Sequence, residues 1–272
     1  MESGGGDGVI KVNRADLLKD DLRGTGFLRR GAAYFRAWGD GVLQVLKFER
    51  QPGGRDSELC VGIFSMYGKL RPEWFTSGGC IPRGSIAGFV GLRSVEGWLS
   101  PDRFTRTDNE QFVYEGFPVS VDPEQRLWDE HGERWKYCFT AEQQTVIFAE
   151  KALPWLNDVT SQSLAARAMY EICPVPNDGL RFDAHLAAGE WTQAEQTISA
   201  ILKQHAAARA SWEQTLSQGA FAEMAARQET EDAPLKAAYR MVQEKDEEAV
   251  RRYLSDNYRR NCKLAEFCVK KA

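Results

Sequence analysis

The sequence predicts an α+β fold: a mostly antiparallel sheet packed by helices, followed by an all-α C-terminal domain. Three observations carry this expectation. Across residues 27–66, short apolar and aromatic runs are separated by Gly-rich breaks, the pattern of strands joined by tight turns. Beyond residue 160 the composition shifts to Ala, Gln and Glu, residues that favour helices. Pro174-Val175-Pro176-Asn177-Asp178-Gly179 is a turn-rich break that marks the boundary between the halves near Pro174. The expected organisation is a flexible glycine-rich start (1–11), an α+β domain (12–160) and a helical domain (161–272).

Within 12–23, Val12, Ala15, Leu17, Leu18 and Leu22 recur at near-helical spacing before Gly24 and Gly26, which predicts one amphipathic helix. The runs 27–30 and 33–38 are short and aromatic, so strands are predicted. Asp40-Gly41 before the run 42–49 supplies the positive φ values of a tight hairpin. The run 58–66 is apolar throughout and predicts a strand covered on both faces. Residues 67–109 are rich in Gly and Pro yet carry Trp74, Phe75, Ile86, Phe89 and Trp98, so a long packed loop is expected. The runs 112–114 and 117–121 suggest an edge strand, because Pro118 cannot donate to a central ladder.

A helix is expected from about Pro123, placing Leu127, Trp128, Trp135 and Phe139 inward. Thr140 and Gln143 have capping-box spacing and open a helix that should stop before Pro154. Further helices are predicted at 163–172, 192–205, 206–216, 219–229 and 234–269. Thr192 with Glu195 is read as a second capping box, and Pro234 as a first helical residue. The segment 186–205 resembles one helix-turn-helix unit of a tetratricopeptide-like array, without a second copy.

Composition narrows the function. The chain has 272 residues, 43% of them hydrophobic, enough for a substantial core. Its 35 Lys and Arg stand against 39 Asp and Glu, a net charge of -4 that offers no global attraction to nucleic acid. No apolar run reaches the roughly 20 residues of a membrane-spanning helix, and the N-terminus lacks the features of a secretory signal. A cytoplasmic location is therefore expected, with no membrane association. The six cysteines form no CxxC pair and the three histidines no metal-binding pattern, so neither a metal nor a cofactor is expected.

The first part of the chain is also familiar. Gly26-Phe27-Leu28-Arg29-Arg30-Gly31, Tyr34-Phe35-Arg36, the run 42–51 and Val61-Gly62-Ile63-Phe64 together resemble a bacterial domain-of-unknown-function family, number 4304. Cys80-Ile81-Pro82-Arg83 and Ala152-Leu153-Pro154-Trp155-Leu156 are compatible with that family's end. The resemblance covers roughly residues 12–160 and leaves the helical half unmatched. It bears on the fold and carries no activity to transfer.

Specific chemistries find little support. The run 78–85 lacks the lysine of a phosphate-binding loop, and no GxSxG elbow exists. Cys80 or Cys138 would serve as a nucleophile only if His131, His185 or His205 approached in space; a buried small hydrophobe is the better reading of either. Asp129, Glu130 and Glu133 beside His131 and Arg134 form the densest titratable cluster, better read as a solvated face than as an acid–base pair. The basic tail from Arg251 to Lys271 follows acidic residues 244–248, which suits one long helix aligned with its dipole.

What remains is an excess of aromatics, eight of them tryptophans, and such side chains with Arg dominate protein interfaces. The expected function is that of a non-enzymatic cytosolic protein-binding protein. Its most concrete form is a bacterial immunity protein that neutralises a cognate, co-encoded toxin by occluding its active site. Partner-binding candidates are Trp74, Arg83, Trp98, Trp128, Asp129, Glu130 and Glu133, and no catalytic residue is assigned. Two alternatives stay open: an enzyme with a pocket beneath residues 67–109 that uses Arg83, and a structural adaptor whose helical half recruits a partner.

Overall fold

The computed structural model describes residues 14–50, 57–71, 84–130, 132–172 and 178–269. It has the α+β architecture, with antiparallel sheets first and helices after. The described residues begin with a 3-10 helix, Arg14–Leu18, followed by turns, where the sequence predicts an α-helix over 12–23, whose first two residues lie outside the described ones. These turns run through Gly26, with Gly24 and Gly26 at φ of +76° and +83°. Ala15, Leu18 and Leu22 are buried all the same.

Five strands follow in sheet order β1-β2-β3-β4-β5: Leu28–Arg30, Ala33–Ala37, Val42–Arg50, Ser57–Ser65 and Gly84–Ser85. Each pairs antiparallel with its neighbour. Both faces of β4 are covered, as its unbroken apolar run predicts. The β2–β3 turn is the Asp40-Gly41 hairpin. Gly41 sits at φ +77°, and a Cβ there would lie 2.8 Å from Cε2 of Tyr67. Gly41→Ala should therefore lower the urea-unfolding free energy by about 2 kcal/mol, from strain and the displaced ring together. An unchanged midpoint would show that Tyr67 yields freely. The same turn holds the next layer: Asp40 Oδ2 accepts the Gln162 backbone N–H at 2.8 Å, at the start of a helix far along the chain.

Polar groups at the sheet centre tie neighbouring elements together. Arg36 donates from Nε to Gln44 Oε1 (2.8 Å) and from Nη1 to Thr25 O (2.9 Å) and Asn157 Oδ1 (2.7 Å). Its guanidinium lies 4.3 Å from the ring centre of Phe27 and 4.9 Å from that of Trp38, and burial lowers its pKa to about 10.

Residues 67–109 are more structured than a loop. Their described part holds β5, a 3-10 helix (Ile86–Val90), β6 (Glu96–Leu99), a 3-10 turn (Pro101–Arg103) and β7 (Thr105–Arg106). These strands were not evident because their partners come later: β6 pairs with β11 (Gly132–Cys138), and β7 with β8 (Phe112–Tyr114). β9 (Phe117–Pro118) lies at the edge of the β7-β8-β9 sheet, where Pro118 costs no ladder bond. The helix expected from Pro123 is absent. β10 (Ser120–Asp129) pairs with β11 as a hairpin instead, because Gly132 at φ +98° turns the chain and β6 supplies a third strand.

The Thr140–Gln143 capping box forms as predicted and opens α1 (Ala141–Ile147). The helix does not stop before Pro154. A π turn (Phe148–Ala152) leads into α2 (Leu153–Asp158), placing Pro154 in a first turn where no N–H is needed. α3 (Gln162–Ile172) and α4 (Asp178–Ala187) follow. Two predicted helices merge into α5 (Trp191–Thr215), whose cap is Glu190; Thr192 and Glu195 lie inside it, so the second capping box does not form. Pro234 sits inside α6 (Gln218–Gln243), carried by the helix formers on either side, instead of opening a helix. α7 (Glu247–Val269) begins after Lys245, at φ +51°, where Asp246 Oδ1 accepts the Ala249 N–H (2.9 Å); this turn divides the long helix expected over 234–269.

Two cores result, and α4 serves both. Leu180 and Ala184 join the larger core under the sheet, whereas Phe182 and Leu186 join Ala194, Ile198, Ala238, Val242 and Val250 in the helical one. α7 returns to the sheet region: Asn261 Nδ2 donates to Met66 O (2.8 Å) and Gly68 O (2.6 Å), and Tyr258 packs on Tyr67 with ring centres 5.0 Å apart. No helix among the described residues is long and apolar enough to cross a membrane.

Candidate functional site

The β10–β11 ribbon is exposed along most of its β10 strand, including every residue from Glu124 to Asp129. Its base is a three-stranded sheet in the order β10-β11-β6, with Lys136 opposite Trp98 and Trp135 opposite Leu99. Past Trp135 no third strand continues among the described residues, so the tip stands there as a two-stranded ribbon. A bulge between Asp122 and Arg126 separates base from tip. It is fastened locally: Asp122 accepts from Glu124 N (3.0 Å) and Gln125 Nε2 (2.8 Å), and Arg126 Nε donates to Pro123 O (2.8 Å). Such bulges re-aim the strand that carries them.

Pairing places Trp128 opposite Glu133 and Arg126 opposite Trp135 on one face, with Leu127 opposite Arg134 on the other. Arg126 Nη1 lies 3.3 Å from Glu133 Oε1, which also accepts from Trp135 Nε1 at 3.1 Å. Arg134 Nε lies 3.1 Å from Asp129 Oδ2. These pairs cross the ribbon and stiffen it. Trp128 is 70% exposed and Leu127 39%, against the inward packing expected of both. The reason is the change of element: on a helix both would have faced the core, whereas on an unsupported ribbon there is no core to reach.

Of the seven sequence-predicted residues, four sit together at the ribbon tip and a fifth lies elsewhere in the same sheet. Trp128, Asp129, Glu130 and Glu133 form the tip, and Trp98 lies half-buried on β6 in the same sheet, with Lys136 Nζ 5.5 Å from its ring centre. Trp74 and Arg83 lie outside the described residues, as do His131 and Cys80. Sequence reading missed Leu127 as an exposed side chain, together with the flanking Arg126 and Arg134. The signal was present in the Arg-Leu-Trp-Asp and Glu-Arg-Trp-Lys runs, which alternate on either side of a Gly.

Other candidate chemistry resolves into structural pairs. His185 Nδ1 lies 2.6 Å from Glu190 Oε2, and the Ser163 hydroxyl donates to the same carboxylate. Burial pushes the Glu190 carboxyl up, but the hydrogen bonds from Ser163 and His185 and the nearby Arg167 hold it below its ordinary range. His205 Nδ1 lies 2.6 Å from Asp232 Oδ1 across α5 and α6. Both histidines are thus engaged with acids in the helical half, whereas Cys138 stands on β11 opposite Glu96. Among the described residues no three His, Cys, Asp or Glu side chains converge in a metal-binding arrangement. A pocket of about 170 Å³ is lined by Ser85, Gly88 and Phe89 of the 67–109 segment together with Trp155 and Glu171.

Comparison with protein-family models, with curated proteins and with solved structures gave no match to this chain.

Proposed function

We propose that this chain is a non-enzymatic protein-binding protein that docks a partner through the β10–β11 tip. One observation carries the reading: Trp128, the residue type most enriched among interface hot spots, is 70% exposed on a ribbon whose charges are tied to one another across the strands. An exposed tryptophan with Leu127 beside it supplies apolar contact, while the Arg126–Glu133 and Arg134–Asp129 pairs give register and charge complementarity at the rim. In its most concrete form the protein is a cytosolic bacterial immunity protein occluding the active site of a co-encoded toxin. The net charge of -4 suits a basic, nucleic-acid- or nucleotide-binding partner, and the resemblance to unknown-function family 4304 is the basis for placing it in a bacterium.

The test is co-expression with each product of the adjacent genes, followed by size exclusion and a growth assay. A stoichiometric complex with a product that is toxic alone, and rescue of growth, are expected. Trp128→Ala should weaken that complex by about 30-fold or more, equivalent to roughly 2 kcal/mol, without moving the urea midpoint of the free protein. Absence of any stoichiometric complex, or undiminished affinity of Trp128→Ala, would remove this reading.

A further inference from the structure

A second site lies where the helical half meets the exit of β4, and it shares no residue with the hairpin. A cleft of about 320 Å³ opens between the segment after β4 and helices α4, α6 and α7. Its walls are apolar, formed by Leu180 and Phe182 of α4 and by Leu235 and Ala238 of α6. Lys69 and Arg71 are exposed and stand on its border, with Lys69 Nζ 5.8 Å from the ring centre of Tyr253. At the floor Asp183 is buried, accepting the Tyr253 hydroxyl at 2.6 Å and the Lys69 backbone N–H at 3.3 Å. The volume matches the lower range of small-molecule sites, roughly 300 Å³, and the lining combines apolar surface with a few polar groups.

The lining selects the chemistry of the occupant. Two cations at the border and apolar walls behind them favour an anionic head with an apolar tail, and they repel an ammonium. A carboxylate at the floor would oppose such a ligand if it were charged, but desolvation raises the Asp183 pKa to about 7 despite hydrogen bonds from Tyr253 and the Lys69 N–H and the Lys69 charge. Among the described residues, the charged or titratable groups around Asp183 are Lys69 and Arg71 on the segment after β4 and Tyr253 on α7, with Arg260 of α7 near Tyr253; the α6 wall brings only Pro234, Leu235 and Ala238. Burial and the Asp183 charge keep the Tyr253 hydroxyl protonated far above neutral pH. We propose that this cleft binds a small organic monocarboxylate with an apolar chain, its head held by Lys69 and Arg71 and its chain laid against Leu180, Phe182, Leu235 and Ala238. Binding is coupled to protonation of Asp183, since among the described lining residues it is the one acid, and a neutral floor removes its repulsion.

The test is calorimetric titration of the full chain with octanoate, using octanamide as the uncharged control. One octanoate per chain is expected, bound at least about tenfold more tightly than octanamide. Lys69→Glu combined with Arg71→Glu, both at exposed positions, should cost at least about tenfold in octanoate affinity. Octanoate should bind more tightly near pH 6 than near pH 8.5, and Asp183→Asn should abolish that dependence. No octanoate binding at about 1 mM, equal affinity for the amide, or an unaffected charge-reversed variant would each overturn the proposal. A pH dependence that survives in Asp183→Asn would overturn the protonation coupling.

Discussion

Asp183→Asn is expected to stabilise the protein relative to wild type at pH 8 and to remove most of that difference at low pH. Burial raises the Asp183 pKa from 3.8 to about 7, and hydrogen bonds from Tyr253 and the Lys69 N–H offset only part of the rise. The folded chain therefore holds this proton more tightly than the unfolded chain. The favourable contribution is fully present below about pH 4, declines between about pH 4 and 7, and is gone above that, where an ionised carboxylate stays buried. At 1.36 kcal/mol per pH unit, this window of about three units is worth on the order of 4 kcal/mol. Asparagine keeps an acceptor for the Tyr253 hydroxyl and carries no charge at any pH. Urea unfolding of both proteins from pH 4 to pH 8 measures the effect. The wild-type free energy should fall relative to the variant by about 1.4 kcal/mol per unit through the middle of the range. Parallel profiles would mean that Asp183 ionises in the fold as easily as in the open chain.

Gln44→Ala should be the most destabilising single change in the sheet region, by about 4 kcal/mol. The side chain is fully buried. Its oxygen accepts from Arg36 Nε, and its nitrogen donates to Leu156 O (2.8 Å) and Val159 O (2.9 Å) at the end of α2. Alanine would strand two buried carbonyls and one N–H of a buried cation, each costing roughly 1–3 kcal/mol. The loss is also one of architecture, because Gln44 and Arg36 tie β2 and β3 to α2. A fall in melting temperature of roughly 10 °C should accompany the loss in free energy. A change below about 1 kcal/mol would mean that water enters and satisfies these groups. The variant also separates stability from binding: Trp128→Ala is expected to do the reverse, weakening a partner and leaving the fold intact.

The hairpin shows why the candidate site was only half legible. The residue types were visible, since Trp128 among Asp129, Glu130 and Glu133 is a dense aromatic and charged cluster in any conformation. Their placement was not, because a run near Pro123 with Leu127, Trp128 and Trp135 suits a helical face as well as a ribbon. The choice was made by β6, which lies over twenty residues upstream and pairs Trp98 with Lys136. The Asp183 cleft left no local trace at all. It depends on Gly68, where a Cβ would press on Leu180 and Asp183, and on Tyr253, seventy positions beyond Asp183 in the chain.

Local chemistry alone determined a good deal: the strands around the Asp40-Gly41 turn, the Thr140–Gln143 cap, Pro118 at an edge and the helical second half. In each, the deciding interaction lies within a few residues, so pattern and propensity suffice. The tertiary structure decided the rest. Pro154 and Pro234 do not end their helices, since a π turn accommodates the first and flanking helix formers carry the second. The 67–109 segment becomes strands because residues 112–138 offer edges to pair with. α4 faces two cores at once, and Asp183 carries a raised pKa because α7 and the exit of β4 close over it. Strand pairing and desolvation are non-local: they depend on what surrounds a residue in space, which no window of sequence contains.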